Sequence, residues 1–298
     1  MSKQTAICIM LLVTLIWGGG FPATNLSLDF GVTVGIINMV RGAIFTLLVF
    51  VVFRKQIVTM KLKDVKIGLM AGTANVLAFL LQTIGTQYTT LSNSAFLTTT
   101  NVIMIPFMVW VMMKKRPVVK NFVAMAICMV GTAVLAGVFH NGLTFNIGDI
   151  YTLLCAFFYG LSIVLVAMQP SDSHFSVSAF MMGLTHFLGG LLYFIFAEGA
   201  YVPDLNWKIA ILPVLYLGVL SSFTAQTLQI LSQRFVSPNT ASLVFMFESV
   251  FGSIFSILFG FEAFTFNLLI GGGLIITSLV ISEVDFKAVK RKKKAVRE

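Results

Sequence analysis

The chain has 298 residues, 58% of them hydrophobic and 10% charged, with a mean hydropathy of +0.96. A soluble domain is about a quarter charged and a little under half apolar, so a single water-surrounded core is excluded and lipid must take up the excess. The net charge of +9 would suit a nucleic-acid binder, but the basic residues fall in short clusters between apolar runs and no recognition module accompanies them.

Ten segments hold the roughly 20 mainly apolar residues that a helix needs to cross the hydrocarbon layer. They lie at 5–27, 33–53, 65–88, 92–113, 120–139, 148–168, 176–198, 208–233, 238–260 and 263–282. Lys3 followed by Ala6 to Trp17 resembles a secretory leader. The apolar stretch runs on to about Leu28, however, which favours a retained span. Within that first span, Trp17-Gly18-Gly19-Gly20-Phe21-Pro22 should loosen the helix, because glycine weakens it and proline removes a backbone donor. Gly18, Gly19, Gly20 and Pro22 are therefore candidates for a hinge or gate, with close packing as the alternative.

The second span carries Arg41, roughly 12 Å deep at 1.5 Å per residue. Polar and ionisable groups inside spans are costly unless they face protein or water, so they are default site candidates. The third span offers Asn75, Gln82 and Thr86 on one helical face, and the fourth adds Asn101 after three threonines that can bond back to their own helix. Tyr159 in the sixth span occupies the place of Trp17 in the first, and the two are expected to form aromatic walls. His186 in the seventh matches Arg41 in the second. Ser222, Gln226, Gln229 and Gln233 share a face of the eighth span, and Glu248 lies near the middle of the ninth. Interhelical hydrogen bonding is the simpler role for such residues, and a solvated cavity the functional one. Gly271-Gly272-Gly273 in the tenth lacks the Lys-Ser/Thr of a phosphate loop and suits close helix contact.

Alternating ten spans from a cytoplasmic N-terminus puts all but Arg41 and Lys208 of the 20 Lys and Arg on the inner side or near it. Asp29, Asp149, Glu198, Asp204 and Glu262 fall outside. Both termini are expected in the cytoplasm and the chain in the plasma membrane. A shift of 146 positions lays Ser92-Asn93-Ser94-Ala95-Phe96-Leu97 on Pro238-Asn239-Thr240-Ala241-Ser242-Leu243 and Asn121 on Asn267; a shift of 142 lays Trp17-Gly18 on Tyr159-Gly160. Five spans per repeat is odd, so the second repeat should enter the membrane inverted, an architecture whose solute sites sit at the repeat interface. The fold expected is an all-α membrane protein with ten transmembrane helices in two inverted five-helix repeats, 5–139 and 148–282, and a basic cytoplasmic tail, 283–298.

Trp17-Gly18, the paired halves and the segment Pro238 to Leu243, followed by Phe247-Glu248-Ser249-Val250 and Gly260-Phe261-Glu262, resemble the EamA-like family of the drug/metabolite transporter superfamily. Ser94-Ala95-Phe96-Leu97 through Pro106 and Lys114-Lys115-Arg116-Pro117 look like the matching segment of the first half. Ser249 stands where the family usually has proline, and Phe261 intrudes before the glutamate. The resemblance covers residues 6–282. It implies spans one, three, four, six, eight and nine around a central cavity, two and seven as moving gates, and five and ten at the periphery. Amino acids, other metabolites, nucleotide sugars and drugs are all carried within the family, and bacterial members are often exporters.

The expected function is secondary transport, by export or exchange, of a small polar metabolite such as an amino acid. Its site is expected among Trp17, Asn75, Gln82, Asn101, Tyr159, Gln226, Gln229 and Glu248. Glu248 would contact an amine or exchange a proton. Cys8, Cys128 and Cys155 lie in apolar runs without ligand or disulfide spacing, so no metal or cofactor is expected. A membrane sensor or scaffold is the alternative class. An embedded enzyme would need paired His and acidic ligands or a nucleophile and base, and His140 and His174 fall at opposite faces, so no catalysis is expected. The expected partners are a solute, the bilayer and, for coupling, protons, with a monomer as the simplest assembly.

Overall fold

The computed structural model describes residues 1–89, 91–138, 146–170, 172–261 and 263–283, without the side chains of 91–93 and Glu283. Glu262, His140 and the basic run Lys290 to Lys294 of the expected tail lie outside the described residues. Among the described residues, every regular element is a helix. Eight helices are long and apolar enough to cross a membrane, and two shorter apolar ones accompany them, Val119–Leu135 and Phe266–Ser282. The sequence expects ten spans. The fifth stops short of its expected end because Gly137 takes a left-handed φ of 69° two residues beyond Leu135.

In chain order the rods are α1 (Lys3–Gly18 and Gly20–Asp29), α2 (Val34–Ile57), α3 (Leu62–Thr86), α4 (Leu91–Thr99 and Asn101–Met113) and α5 (Val119–Leu135). The second half repeats the series with α6 (Ile147–Ala167), α7 (Phe175–Phe196), α8 (Trp207–Leu215, Tyr216–Gln226 and Thr227–Gln233), α9 (Pro238–Phe245 and Phe247–Leu258) and α10 (Phe266–Glu283). Local chemistry sets several starts. Ser2 and Ser237 accept the backbone N–H three residues on, at 3.1 Å each, and Asn146 and Asp149 form a reciprocal capping box.

Five rods are irregular, and the mildest case is α2, where Phe53 near the end leaves helical geometry (φ −113°, ψ 23°). α1 breaks at Gly19, α4 at Thr100 and α9 at Met246, and the middle of α8, Tyr216–Gln226, is a π-helix. The breaks in α4 and α9 are separated by the same 146 positions as the sequence repeat. Pro213 removes a backbone donor just before the π-helix begins.

Antiparallel α2 and α7 pack so closely that only glycine fits where they touch. A Cβ on Gly42 would lie 2.2 Å from the Phe187 nitrogen, and one on Gly190 would lie 2.2 Å from the Met39 nitrogen. Farther along, Gly35 meets Phe194 and Gly183 meets Thr46. Each contact is the other's image when the two halves are exchanged at a shift of 148. The ends of the pair are tied by side chains as well. Glu198, beyond α7, accepts from Thr33 Oγ1 at 2.5 Å and from the Gly35 N–H at 2.8 Å at the start of α2. Gln56, at the end of α2, accepts from Ser176 Oγ at the start of α7 at 2.5 Å. α5 and α10 cross likewise at Gly131 and Gly271, the first residue of the triple-glycine run.

Lys3, Lys115, Arg116 and Arg234 gather around one recess with Gln233 and Asn239, at the end where Lys63 also pairs with Asp172. α1 starts at that end. α6 starts at the other, where Asp149 accepts from Thr89 Oγ1 at 2.6 Å, just beyond the far end of α3.

Candidate functional site

The breaks in α1, α4 and α9 and the π-helix of α8 converge on one cavity. α1 brings Trp17, Gly20, Phe21 and Thr24 to its wall. α2 brings Arg41, and α3 brings Asn75, Phe79, Gln82 and Thr86. α4 contributes Thr98 and Asn101, one on each side of its break, and α6 contributes Tyr159 and Ile163. α8 adds Leu217, Ser221 and Gln229, and α9 adds Phe245 and Glu248, again astride a break. A helix that breaks or widens turns side chains and backbone groups toward a space that a regular helix would close.

Seven of the eight residues expected at the site from sequence, all but Gln226, line this cavity. Gln226 and His186 are fully buried behind the wall. His186 Nε2 lies 2.7 Å from Asn75 Oδ1, and Gln226 Nε2 donates to that same oxygen at 3.3 Å. Gln226 misses the cavity for a physical reason. The one-face assignment of Ser222, Gln226 and Gln229 assumed 3.6 residues per turn, and the π-helix across Tyr216–Gln226 breaks that phase. The same widening brings Ser221 to the cavity, and both Ser221 and Ser222 to Arg41.

Arg41 donates from Nε to Ser222 Oγ at 2.8 Å and from Nη2 to Ser221 Oγ at 3.3 Å, and its guanidinium carbon sits 4.0 Å from the Phe79 ring centroid. No carboxylate of a described residue pairs with it within 4 Å. Glu248, half-buried on the α9 wall, makes no hydrogen bond or ion pair to a described residue. Tyr159 donates to Gln82 Oε1 at 3.3 Å and packs edge-on to Phe79 at 5.2 Å. Trp17 donates from Nε1 to the Ser221 carbonyl at 3.0 Å and tilts against Phe245 at 5.4 Å.

The expected hinge residues divide. Gly18 and Gly19 are sites of close approach. A Cβ on Gly18 would lie 2.7 Å from Phe251 Cβ, and one on Gly19 would lie 2.3 Å from the Tyr216 hydroxyl. That hydroxyl donates to the Ile16 carbonyl at 2.6 Å, one turn before the break. Gly20 lines the cavity, and Pro22 is buried in the second segment of α1. Sequence reasoning missed Phe79, although it lies four residues after Asn75 and three before Gln82 on the same face. Phe21, Thr24 and Phe245 carry no comparable signal. Among the described residues no group of three or more His, Cys, Asp or Glu is arranged to hold a metal.

The model of the EamA-like transporter family matches this chain twice, over residues 4–137 and 146–283. An uncharacterized transporter of Archaeoglobus fulgidus is 30% identical over 272 residues, which span 91% of this chain and 83% of that protein. A crystal structure of a protein given no further description superposes with a TM-score of 0.74 at 15% identity, covering 95% of this chain and 97% of the other, a likeness of fold.

Proposed function

The chain belongs to the EamA-like transporter family, with that family's unit present twice, and from that premise we propose that it is a secondary carrier. It moves a small polar solute by alternating access through the cavity between its halves. The observation that carries this reading is the shared lining. Gln82 and Asn101 from the first half and Gln229 and Glu248 from the second meet around one space, beside breaks in α1, α4 and α9. Discontinuous helices at a repeat interface are what a carrier needs to expose polar groups to a solute within the membrane.

The halves are inverted in the membrane and all ten rods cross it. The reciprocal contacts of α2 and α7 support the inversion, as do the starts of α1 and α6 at opposite ends. α5 and α10 have 17 and 18 residues, about 26 Å at 1.5 Å per residue and within the range of short spans. Exposed Val123, Val130, Leu269, Ile270, Ile276 and Val280 on them suit a lipid-facing edge. The end that gathers Lys3, Lys63, Lys115, Arg116 and Arg234 is cytoplasmic by the positive-inside rule, and the membrane is the plasma membrane.

The test is exchange by the purified chain in liposomes loaded with a broad panel of polar metabolites. At least one solute exchanges above empty liposomes, and Glu248→Gln, equal in shape, slows that exchange by about tenfold or more. A panel without any exchange overturns the reading.

A further inference from the structure

We infer that the basic recess, at the end where α1 starts, is a second ligand site outside the cavity, and that it takes a phosphate monoester of a hydroxylated group. Both halves build it. Lys3, Lys115 and Arg116 come from the first, and Gln233, Arg234 and Asn239 from the second. No Asp or Glu of the described residues lines it. One apolar cluster runs from Val109, at the recess, to Ile163 and Phe245, at the cavity, so packed side chains lie between the two spaces.

Four positive charges on one concave surface repel one another unless an anion joins them. Lys115 and Arg116 have no carboxylate within 4 Å among the described residues. Arg234 is held at the wall by donating from Nη2 to the Pro170 carbonyl at 3.3 Å. Val109, Met113 and Val236 supply an apolar lining, which strengthens the field of the charges beside it. α9 also begins here, at Ser237 and Pro238, and adds the positive end of its helix.

A buried donor points to the same ligand. Gln233 is 3% exposed and lines the recess, yet its Nε2 has no hydrogen-bond partner among the described residues. Its Oε1 accepts from Gln229 Nε2 at 3.5 Å, so the donor end of the amide is the end left over. A buried N–H without an acceptor is costly, and an anionic oxygen supplies one. A carboxylate would meet one cation of the set. A phosphate monoester, with roughly −1.5 to −2 charges and three acceptor oxygens near neutrality, meets several. Gln169 Oε1 and Asn239 Oδ1, also in the lining and without partners among the described residues, are acceptors for hydroxyls on the esterified group. A ligand that takes the Gln233 N–H fixes the partner of Gln229, which lines the cavity.

The experiment follows the thermal midpoint of the full chain in detergent against glycerol 3-phosphate, with glycerol and with potassium chloride at matched ionic strength. Glycerol 3-phosphate should raise the midpoint saturably, as a ligand of the folded state does, and the two controls should not. Lys115→Ala combined with Arg116→Ala, in an exposed turn, should weaken the apparent affinity at least about tenfold. Arg54→Ala combined with Lys55→Ala, which removes the same charge from an exposed helix end outside the recess, should leave it unchanged. Gln233→Leu should weaken it about threefold or more. A second arm uses phosphatidylcholine bilayers with and without phosphatidylinositol 4-phosphate, which carries a monoester and hydroxyls on a lipid. A shift in that arm alone, lost in the Lys115 and Arg116 double variant, assigns the site to a lipid headgroup. A saturable shift with glycerol 3-phosphate assigns it to a free ester. No saturable shift in either arm, or an equal shift in the double variant, overturns the inference.

Discussion

His186 Nε2 stands 2.7 Å from Asn75 Oδ1, and an amide oxygen only accepts, so the imidazole carries its proton on Nε2. The other ring nitrogen, Nδ1, is buried without a hydrogen-bond partner among the described residues. His186 thus acts on the cavity through Asn75, a lining residue whose amide oxygen it holds.

Replacing His186 tests that relay. His186→Ala leaves Asn75 Oδ1 with Gln226 alone and should lower stability by about 1–3 kcal/mol, read as a fall in the thermal midpoint in detergent. It should also raise KM for the transported solute more than it lowers the maximal rate, because Asn75 is left free to turn. His186→Gln, which can still donate, should recover part of both. A variant that loses stability with KM unchanged would make His186 a packing residue only.

The glycines at the α2–α7 crossing make a second prediction. A Cβ at Gly190 would press on the Met39 backbone at 2.2 Å, and backbone cannot rotate away as a side chain can. Gly190→Ala should cost about 1–3 kcal/mol through overpacking, and Gly42→Ala should match it, since the two are exchanged by the pseudo-symmetry. Gly273→Ala is the control, because a Cβ there meets nothing within 4 Å. It should be neutral or stabilise by up to about 1 kcal/mol through helix propensity. Unequal effects at Gly42 and Gly190 would show that the two ends of the crossing are not equivalent. Thermal midpoints of the three purified variants decide it.

Much of this site is legible in the sequence because amides and charges in an apolar span leave few alternatives to a shared polar interior. Asn75 and Gln82 lie seven residues apart on α3, which is regular from Leu62 to Thr86, and they arrive where 3.6 residues per turn puts them. The same arithmetic fails on α8. There the π-helix shifts the phase, so Ser221 enters the wall and Gln226 drops behind it, and no single-residue signal announces a π-helix. The phenylalanines of the wall, unlike Trp17 and Tyr159, were missed for another reason. With 29 phenylalanines in the chain, the sequence does not distinguish Phe79 over Arg41 from one facing lipid. Glu198 was read only as an outer charge, because its bonds to Thr33 and Gly35 link residues more than 160 positions apart.

Tyr216 ties the break in α1 to the π-helix of α8 through its bond to the Ile16 carbonyl at 2.6 Å. That carbonyl has no helical partner at Gly20, where the second segment of α1 begins, so the phenol satisfies a group that the break exposes. Tyr216→Phe removes the donor while keeping the ring. Amide hydrogen exchange should rise about tenfold or more in peptides covering 14–22, for a lost bond of roughly 1.4 kcal/mol, with little change in α5 and α10. Uniform protection across the chain would show that the break holds without the phenol.

The inversion proposed above makes a last prediction that needs no substrate. Lys115, in the turn after α4, and Arg234, in the turn after α8, line the same recess, one from each half. Single cysteines at Lys115 and Arg234, in a background with Cys8 replaced by serine, should therefore react with an impermeant maleimide from the same face of sealed membranes. Cys128 and Cys155 are buried and should stay silent. Cysteines at Tyr201 and Lys208, in and just after the turn following α7, should react from the opposite face. Inside-out and right-side-out vesicles must give complementary patterns, with Lys115 and Arg234 reached from the cytoplasm. Labelling of those two from opposite faces would mean that an odd number of spans, and not the four from α5 to α8, lies between the turn after α4 and the turn after α8. The reciprocal packing of α2 against α7 could not then be the seam of two inverted halves.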